Sequence, residues 1–130
     1  MEIKVKIDLH IHTKTCSDGN LSIEEVFQEA KNRNIDLMST TDHDSIDCQE
    51  RAILLAREYG IAYITGVELN VTFPYLDKSV SLDFLGYQYD INNQEMKNKL
   101  QLLREHREKR AHQILDKLNI EFDKENIERF

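Results

Sequence analysis

Residues 3–11 constrain the fold more than any other stretch of the chain. Ile3, Val5, Ile7, Leu9 and Ile11 recur at every second position. Successive side chains of a strand point to opposite faces, so this period describes a strand with one apolar face. The chain then turns polar from Thr13 to Asn20, a stretch that includes Ser17-Asp18-Gly19. Ser22 has the chemistry of a helix N-cap, and Glu25 three residues on completes a capping box. Ile23, Val26, Phe27 and Ala30 form the apolar stripe of a helix reaching about Arg33. Ile35 to Thr40 reads as a second strand and Thr41-Asp42-His43-Asp44 as a polar loop. A second helix from about Cys48 to Tyr59 carries Ala52, Leu55, Ala56 and Tyr59 on one side, and Gly60 stops it. Ile61 to Thr65 makes a third strand, ending at Gly66-Val67-Glu68.

Strands alternating with helices across short polar connections predict an α/β fold of mostly parallel strands joined by crossover helices. Ligand sites in such folds gather beyond the C-terminal ends of the strands. His10 and His12, Asp42 and His43, and Glu68 all fall at those ends. His10 and His12 lie two apart, on the face opposite the apolar set, where two imidazoles can grip one metal ion. The alternative for that pair alone is two unrelated surface histidines. Asp42 either orients His43 or closes the loop as a turn residue.

Beyond Leu69 the pattern changes. Asn70 to Phe73 and Val80 to Tyr87 both look extended, with a loop from Pro74 to Ser79, which predicts a hairpin-like excursion. A long helix is expected within residues 93–120, roughly Gln94 to Leu118, with Leu100, Leu103, Ala111, Ile114, Leu115 and Leu118 as its buried stripe. Residues 104–110, Arg-Glu-His-Arg-Glu-Lys-Arg, are the densest charge run and read as a solvated helix face holding His106. The functional alternative is that Arg107 or Arg110 reaches a substrate phosphate, which a guanidinium fork suits. Asp123 to Phe130 looks like the start of a further helix. Tyr63, Tyr75, Tyr87 and Tyr89 read as core or rim residues.

Composition excludes several partners. The net charge is −7 without a basic block, which argues against nucleic acid as a partner. No stretch approaches the roughly 18 apolar residues that would span a membrane. Cys16 and Cys48 have no metal-type spacing, and Cys16 reads as a bystander between His12 and Asp18. Two such cysteines and the lack of a signal-peptide pattern suit a cytoplasmic protein.

His10, His12, Asp18, His43 and Glu68 are the candidate ligands, drawn from three loops. Imidazoles suit zinc, iron and manganese, and a shared carboxylate can bridge two ions. Ions about 3.5–4 Å apart can clamp a phosphoryl group and activate water. There is no phosphate-cradling glycine loop, dinucleotide fingerprint or Ser/His/Asp order, so metal-assisted hydrolysis is the catalytic class these residues support.

Asp8-Leu9-His10-Ile11-His12-Thr13, Ser17-Asp18-Gly19, Thr41-Asp42-His43-Asp44 and Gly66-Val67-Glu68 together resemble the PHP (polymerase and histidinol phosphatase) family, most of all its stand-alone phosphoesterase branch. The resemblance covers essentially the whole chain and implies the N-terminal portion of a distorted (β/α)7, TIM-like barrel, in a single domain over residues 1–130. It implies two or three divalent ions (zinc, manganese or iron), with His10, His12 and Glu68 on one, Asp18 and His43 on another, and Glu68 bridging toward a third. It further implies hydrolysis of a small phosphorylated substrate, a nucleotide or a sugar or metabolite phosphate, by water activated on the metal.

Two departures from that family pattern bear on the expectation. Where the family places a histidine before the Leu-Gly-Tyr segment this chain has Asp83, which either ligates a metal as a hard oxygen donor or is an edge-strand polar residue. Later strands with a further histidine and an Asp-x-His pair are not found; the last histidine is His112, in a predicted helix. The chain is therefore expected to be truncated, with an open sheet edge covered by a missing C-terminal half or by a second copy. The rival functions are a catalytically incomplete metal-binding fragment, a PHP-type nuclease module, and C–N bond hydrolysis on a related barrel.

Overall fold

The computed structural model describes residues 4–129; Ile3, counted above in the first strand, and Phe130 lie outside them. The element order is β1 (Ile7–Ile11), α1 (Ile23–Asn32), β2 (Leu37–Thr40), α2 (Gln49–Tyr59), β3 (Ala62–Tyr63), β4 (Gly66–Tyr75), β5 (Lys78–Tyr87) and α3 (Gln94–Lys124). Two compact units result, with the boundary between Gln94 and Glu95.

Helix α1 starts where its capping box places it. The Ser22 hydroxyl accepts the Glu25 N–H at 3.3 Å, and the Glu25 carboxylate accepts the Ser22 N–H at 2.8 Å. Two otherwise orphaned donors are thus satisfied together. Helix α2 ends at Gly60, whose φ of 66° is the left-handed conformation that glycine adopts without a Cβ penalty.

β1, β2 and β3 form a parallel sheet in that order, with Ile7 opposite Leu37 and Met38 opposite both Asp8 and Tyr63. Between Asp8 and Ile11 the register of β1 slips against β2. Such a bulge bends a strand and re-aims side chains, and here it lies beside His10. The apolar stripe of α1 (Ile23, Val26, Phe27, Ala30) meets Ala52, Leu55 and Ala56 of α2 together with Met38 and Ile61 in one buried cluster. Phe27, Met38 and Ala52 are fully buried. Burying a phenylalanine such as Phe27 stabilises by about 1.5–3 kcal/mol, so this cluster is what holds the loops above it in place.

The hairpin-like excursion expected after Leu69 is a regular antiparallel hairpin. β3 is only two residues long, and the chain then enters β4, which pairs with β5 in an antiparallel hairpin from Gly66 opposite Tyr87 to Tyr75 opposite Lys78. Two adjoining strands joined by two residues can only run antiparallel. The loop expected over Pro74 to Ser79 shrinks to the turn Leu76-Asp77, since Pro74 pairs with Ser79. A two-stranded ribbon consists of edges, where proline is tolerated.

Helix α3 runs on to Lys124, past the expected end near Leu118, because no glycine or proline interrupts residues 94–124. Asp123 and Lys124 therefore close this helix and do not begin another. Leu103, Ile114, Leu115 and Leu118, placed in a buried stripe by their spacing, are exposed. Ala111 is exposed as well. Among the described residues no helix is long and apolar enough to cross a membrane.

Candidate metal centre

Backbone pairing brings three sequence-distant segments to one rim. β2 ends at Thr40, and the chain passes alongside the start of β4 in a parallel bridge between His43 and Glu68. The Asp42 carbonyl accepts the Glu68 N–H at 3.2 Å, and the Asp44 N–H donates to the Glu68 carbonyl at 2.9 Å. On the other side the Thr41 N–H donates to the Ile11 carbonyl at 2.7 Å, which joins the end of β1 to the same loop. Gly66 makes the approach of β4 possible, since a Cβ there would lie 2.2 Å from the Ser39 hydroxyl.

Glu68 is the centre of the arrangement. It is 5% exposed. Its Oε2 lies 3.0 Å from His10 Nε2, 2.6 Å from His12 Nε2 and 3.7 Å from His43 Nε2. His10 and His12 approach each other at 3.2 Å between Nε2 atoms, despite the bulge in β1. The alternation read from sequence therefore pairs the right residues, and the bulge adjusts how they meet.

The donor set fits a divalent ion. Donors on one ion with bonds of about 2.0–2.2 Å sit about 3 Å apart, as the Nε2 atoms of His10 and His12 and Oε2 of Glu68 do. Three groups emerge among the described residues: His10, His12 and Glu68; His12, Asp18 and His43, which overlaps the first; and Cys16, Asp42 and Cys48, whose sulfurs are joined in a disulfide. His12 belongs to the first two, but its two nitrogens face different partners. Nε2 faces Glu68 at 2.6 Å and Nδ1 faces Asp18 Oδ1 at 2.7 Å. A neutral imidazole offers one lone pair, so a proton held on Nδ1 by Asp18 leaves Nε2 for the first group. Asp18 Oδ2 lies 3.8 Å from His43 Nε2, so this carboxylate spans both groups.

The electrostatics follow from these contacts. Burial disfavours the charged form of His12, but its hydrogen bonds to Asp18 and Glu68, together with their charges, outweigh it and raise the His12 pKa above its ordinary value. The same hydrogen bond with His12 holds the Asp18 carboxyl below its ordinary value, and the nearby His43 reinforces it.

The remaining candidates are placed elsewhere. Asp83 is on β5, exposed, and accepts from the Asn70 amide across the hairpin at 2.7 Å; it falls outside all three groups. Arg107 and Arg110 are on α3, in the second unit. Of the tyrosines, Tyr87 donates to the Leu9 carbonyl and Tyr89 to the Gly66 carbonyl, each at 2.6 Å, while Tyr75 is exposed.

Sequence reasoning misses the fastenings beneath the site. Gln49, fully buried, donates to the carbonyls of Thr40 and Gly66 and accepts from the Tyr63 hydroxyl and the Gly66 N–H. Gly19 lies so near the end of β1 that a Cβ would be 2.2 Å from the His12 carbonyl. Cys16 and Cys48 form a disulfide across 32 residues, joining the loop after β1 to the start of α2. This corrects their reading as separate thiols suited to a reducing compartment. The available signal was that one cysteine follows His12 and the other follows His43 within a few residues. Constraining the unfolded chain by a loop of this length is worth about 3–4 kcal/mol in the chain-entropy model.

Known proteins resemble this chain in sequence and fold. A 5'-3' exoribonuclease of Haemophilus influenzae is 36% identical over 113 residues, which are 87% of this chain and 39% of that protein. A 3',5'-nucleoside bisphosphate phosphatase of Chromobacterium violaceum is 40% identical over 67 residues, 52% of this chain and 23% of the phosphatase. An amidohydrolase structure from Chromobacterium violaceum, determined with bound sulfate and no metal, superposes with a TM-score of 0.74 at 33% identity, covering 89% of this chain and 39% of that one. The chain thus spans about two fifths or less of the length of these relatives. The PHP domain model matches residues 8–125, a range that takes in every histidine and carboxylate of both ligand groups. The chain belongs to the PHP domain family.

Proposed function

We propose that this chain carries the metal-binding rim of a PHP-type, metal-dependent phosphoesterase, built on part of a (β/α)7 barrel. One observation carries the proposal: a single buried carboxylate oxygen, Oε2 of Glu68, within reach of His10, His12 and His43 from two other loops. Divalent ions bound there, zinc, manganese or iron by donor type, would supply Lewis acidity toward phosphoryl oxygens and lower the pKa of water. The chain's own part is to hold them. His10 and His12 offer Nε2, Asp18 keeps the His12 proton on Nδ1, and Glu68 neutralises charge between the groups. Asp83 has no part in the proposed centre.

The substrate class follows from what the relatives act on. A nucleoside bisphosphate and an RNA chain share the nucleotide phosphoester, and the sulfate in the related structure is tetrahedral, like phosphate. A small phosphorylated substrate of nucleotide type fits best, given the −7 charge and the lack of a basic track. Terminal cleavage of RNA is the second reading, favoured by a match to the exoribonuclease across 87% of this chain. Contact of Arg107 or Arg110 with a substrate phosphate is a separate proposal.

The test is phosphate release from a nucleoside 3',5'-bisphosphate, and nucleotide release from a short RNA, with Mn2+ or Zn2+. Wild type is expected to turn over one of them. His10→Ala and Glu68→Ala are expected to lose at least about a hundredfold, beyond the cost of removing a supporting residue. Equal rates in all three proteins would overturn the proposal. Tight Mn2+ binding without turnover on either substrate would favour a catalytically incomplete metal-binding module.

A further inference from the structure

Asp42 ties the ligand-bearing segments together without belonging to either histidine-containing group. It is 1% exposed. Its Oδ1 accepts the Thr13 N–H at 2.7 Å and the Ser17 hydroxyl at 2.6 Å. The Thr13 hydroxyl lies 3.1 Å from Oδ1 and 3.0 Å from Oδ2, and accepts the Cys16 N–H at 3.1 Å. Thr13 follows His12 and Ser17 precedes Asp18, so the bonds seize both ends of the segment between those two ligands. The backbone of Asp42 completes the set, since its carbonyl accepts the Glu68 N–H and the next residue is His43. One residue is therefore adjacent to, or bonded next to, His12, Asp18, His43 and Glu68.

A buried carboxylate is costly unless hydrogen-bonded, and it is retained here by neutral hydroxyl and amide donors among the described residues. The Asp18 side chain is 69% exposed, so local packing does not fix it. Its loop is held by the Cys16–Cys48 disulfide, by the bonds to Asp42, and by the Ser17 and Gly19 N–H groups that donate to the Thr13 carbonyl. A turn-closing aspartate would bond a residue two or three positions away; Asp42 reaches back 25 and 29 residues.

We propose that Asp42 is a positioning residue for the cation site. Its carboxylate pre-orders the Thr13–Asp18 loop so that His12 and Asp18 already stand beside His43 and Glu68 when a cation arrives. The proposal rests on the cation-site reading of those four residues and names what assembles them.

The experiment titrates the full chain with Mn2+, following free Mn2+ by electron paramagnetic resonance. It compares wild type with Asp42→Ala, Asp42→Asn and the double variant Thr13→Val with Ser17→Ala. The double variant removes the hydroxyl partners and leaves the backbone N–H of position 13 on the carboxylate, and it carries the test if Asp42→Ala fails to fold. Asp42→Ala and the double variant are expected to bind Mn2+ about 10–100-fold more weakly. Asp42→Asn keeps an oxygen acceptor for Thr13 and Ser17 and is expected to recover most of that loss. In metal-free protein, amide exchange at Thr13 and Cys16 should quicken in the two weakened variants while Met38 and Ala52 in the core stay protected. Wild-type affinity in folded variants whose Thr13 amide exchanges fast would overturn the positioning role alone. Wild type that binds no Mn2+ would overturn the cation site, and the positioning role with it.

Discussion

Phe27 on α1 is fully buried, whereas Phe84 on β5 is 52% exposed. Both belong to the first unit and both lie in stretches rich in apolar residues, yet their surroundings differ. Around Phe27, two helices close over a parallel sheet and exclude water from Met38, Ala52 and Leu55. Around Phe84, a two-stranded ribbon leaves Val71, Tyr75, Leu82 and Leu85 open as well. The hairpin is buried only at its base, at Gly66, Val67 and Glu68, and the base is where it meets the site. The lesson is that the centre depends on the closed layer and on one end of the ribbon, while the rest of the ribbon is free to vary without disturbing it.

Truncating each phenylalanine breaks or sharpens this contrast most directly. Phe27→Ala is expected to cost about 3–5 kcal/mol, read by urea denaturation, and to weaken Mn2+ binding because the loops lose their floor. Phe84→Ala should cost within about 1 kcal/mol and leave Mn2+ binding unchanged. Comparable losses in the two would mean that the hairpin is part of the core.

A smaller effect is expected at the tip. Leu76 has φ of 54° and is 86% exposed, so it occupies a left-handed turn position with little burial to offset it. Leu76→Gly should stabilise by about 0.5–1 kcal/mol without altering metal affinity. A loss of stability would show that the Leu76 side chain packs in solution.

The smallest effect lies in the loop between β1 and α1, and it depends on pH. The His12 pKa is raised, so its contribution to metal-free stability is complete below about 6.5 and is lost as pH rises through the raised value. The Asp18 pKa is lowered, so its contribution is complete above about 3.9 and is lost as pH falls through the lowered value. Melting curves of metal-free protein should therefore show stability falling as pH rises above about 6.5, a decline that Asp18→Asn flattens. Mn2+ binding should run the other way and weaken on acidification, since protons and cations compete for His12. An identical pH profile in the variant would remove His12–Asp18 pairing from the account.

Much of the closed layer was legible in the sequence. The capping box at Ser22 and Glu25, the stripe through Phe27 and the stop at Gly60 act over a few residues, and local rules describe them. His10, His12, Asp18, His43 and Glu68 were legible as a set because each lies at or just beyond the C-terminal end of a strand expected from the sequence. The rest was not legible for a physical reason in each case. Antiparallel pairing of β4 with β5 depends on where the turn falls, and Leu76-Asp77 lacks the usual glycine or asparagine signal. The stripe of α3 has a helical period, but period alone does not say what covers it, and Leu103, Ile114, Leu115 and Leu118 are open. The Cys16–Cys48 pairing and the reach of Asp42 to Thr13 span tens of residues and have no periodic trace.

By itself, the order of residues determined which side chains were available and at which strand ends they would emerge, because alternation and capping are properties of short segments. It determined the family as well, through motifs that keep their order along the chain. Only the tertiary structure decided that Glu68 presents one oxygen to three histidines, that His12 divides its nitrogens between two carboxylates, and that Asp83 stays with Asn70. Those outcomes depend on the slip in β1, on the close passage of Gly66 over β2 and on a buried carboxylate holding a loop 29 residues away. Each is a distance between atoms remote in sequence, and such distances are set by packing.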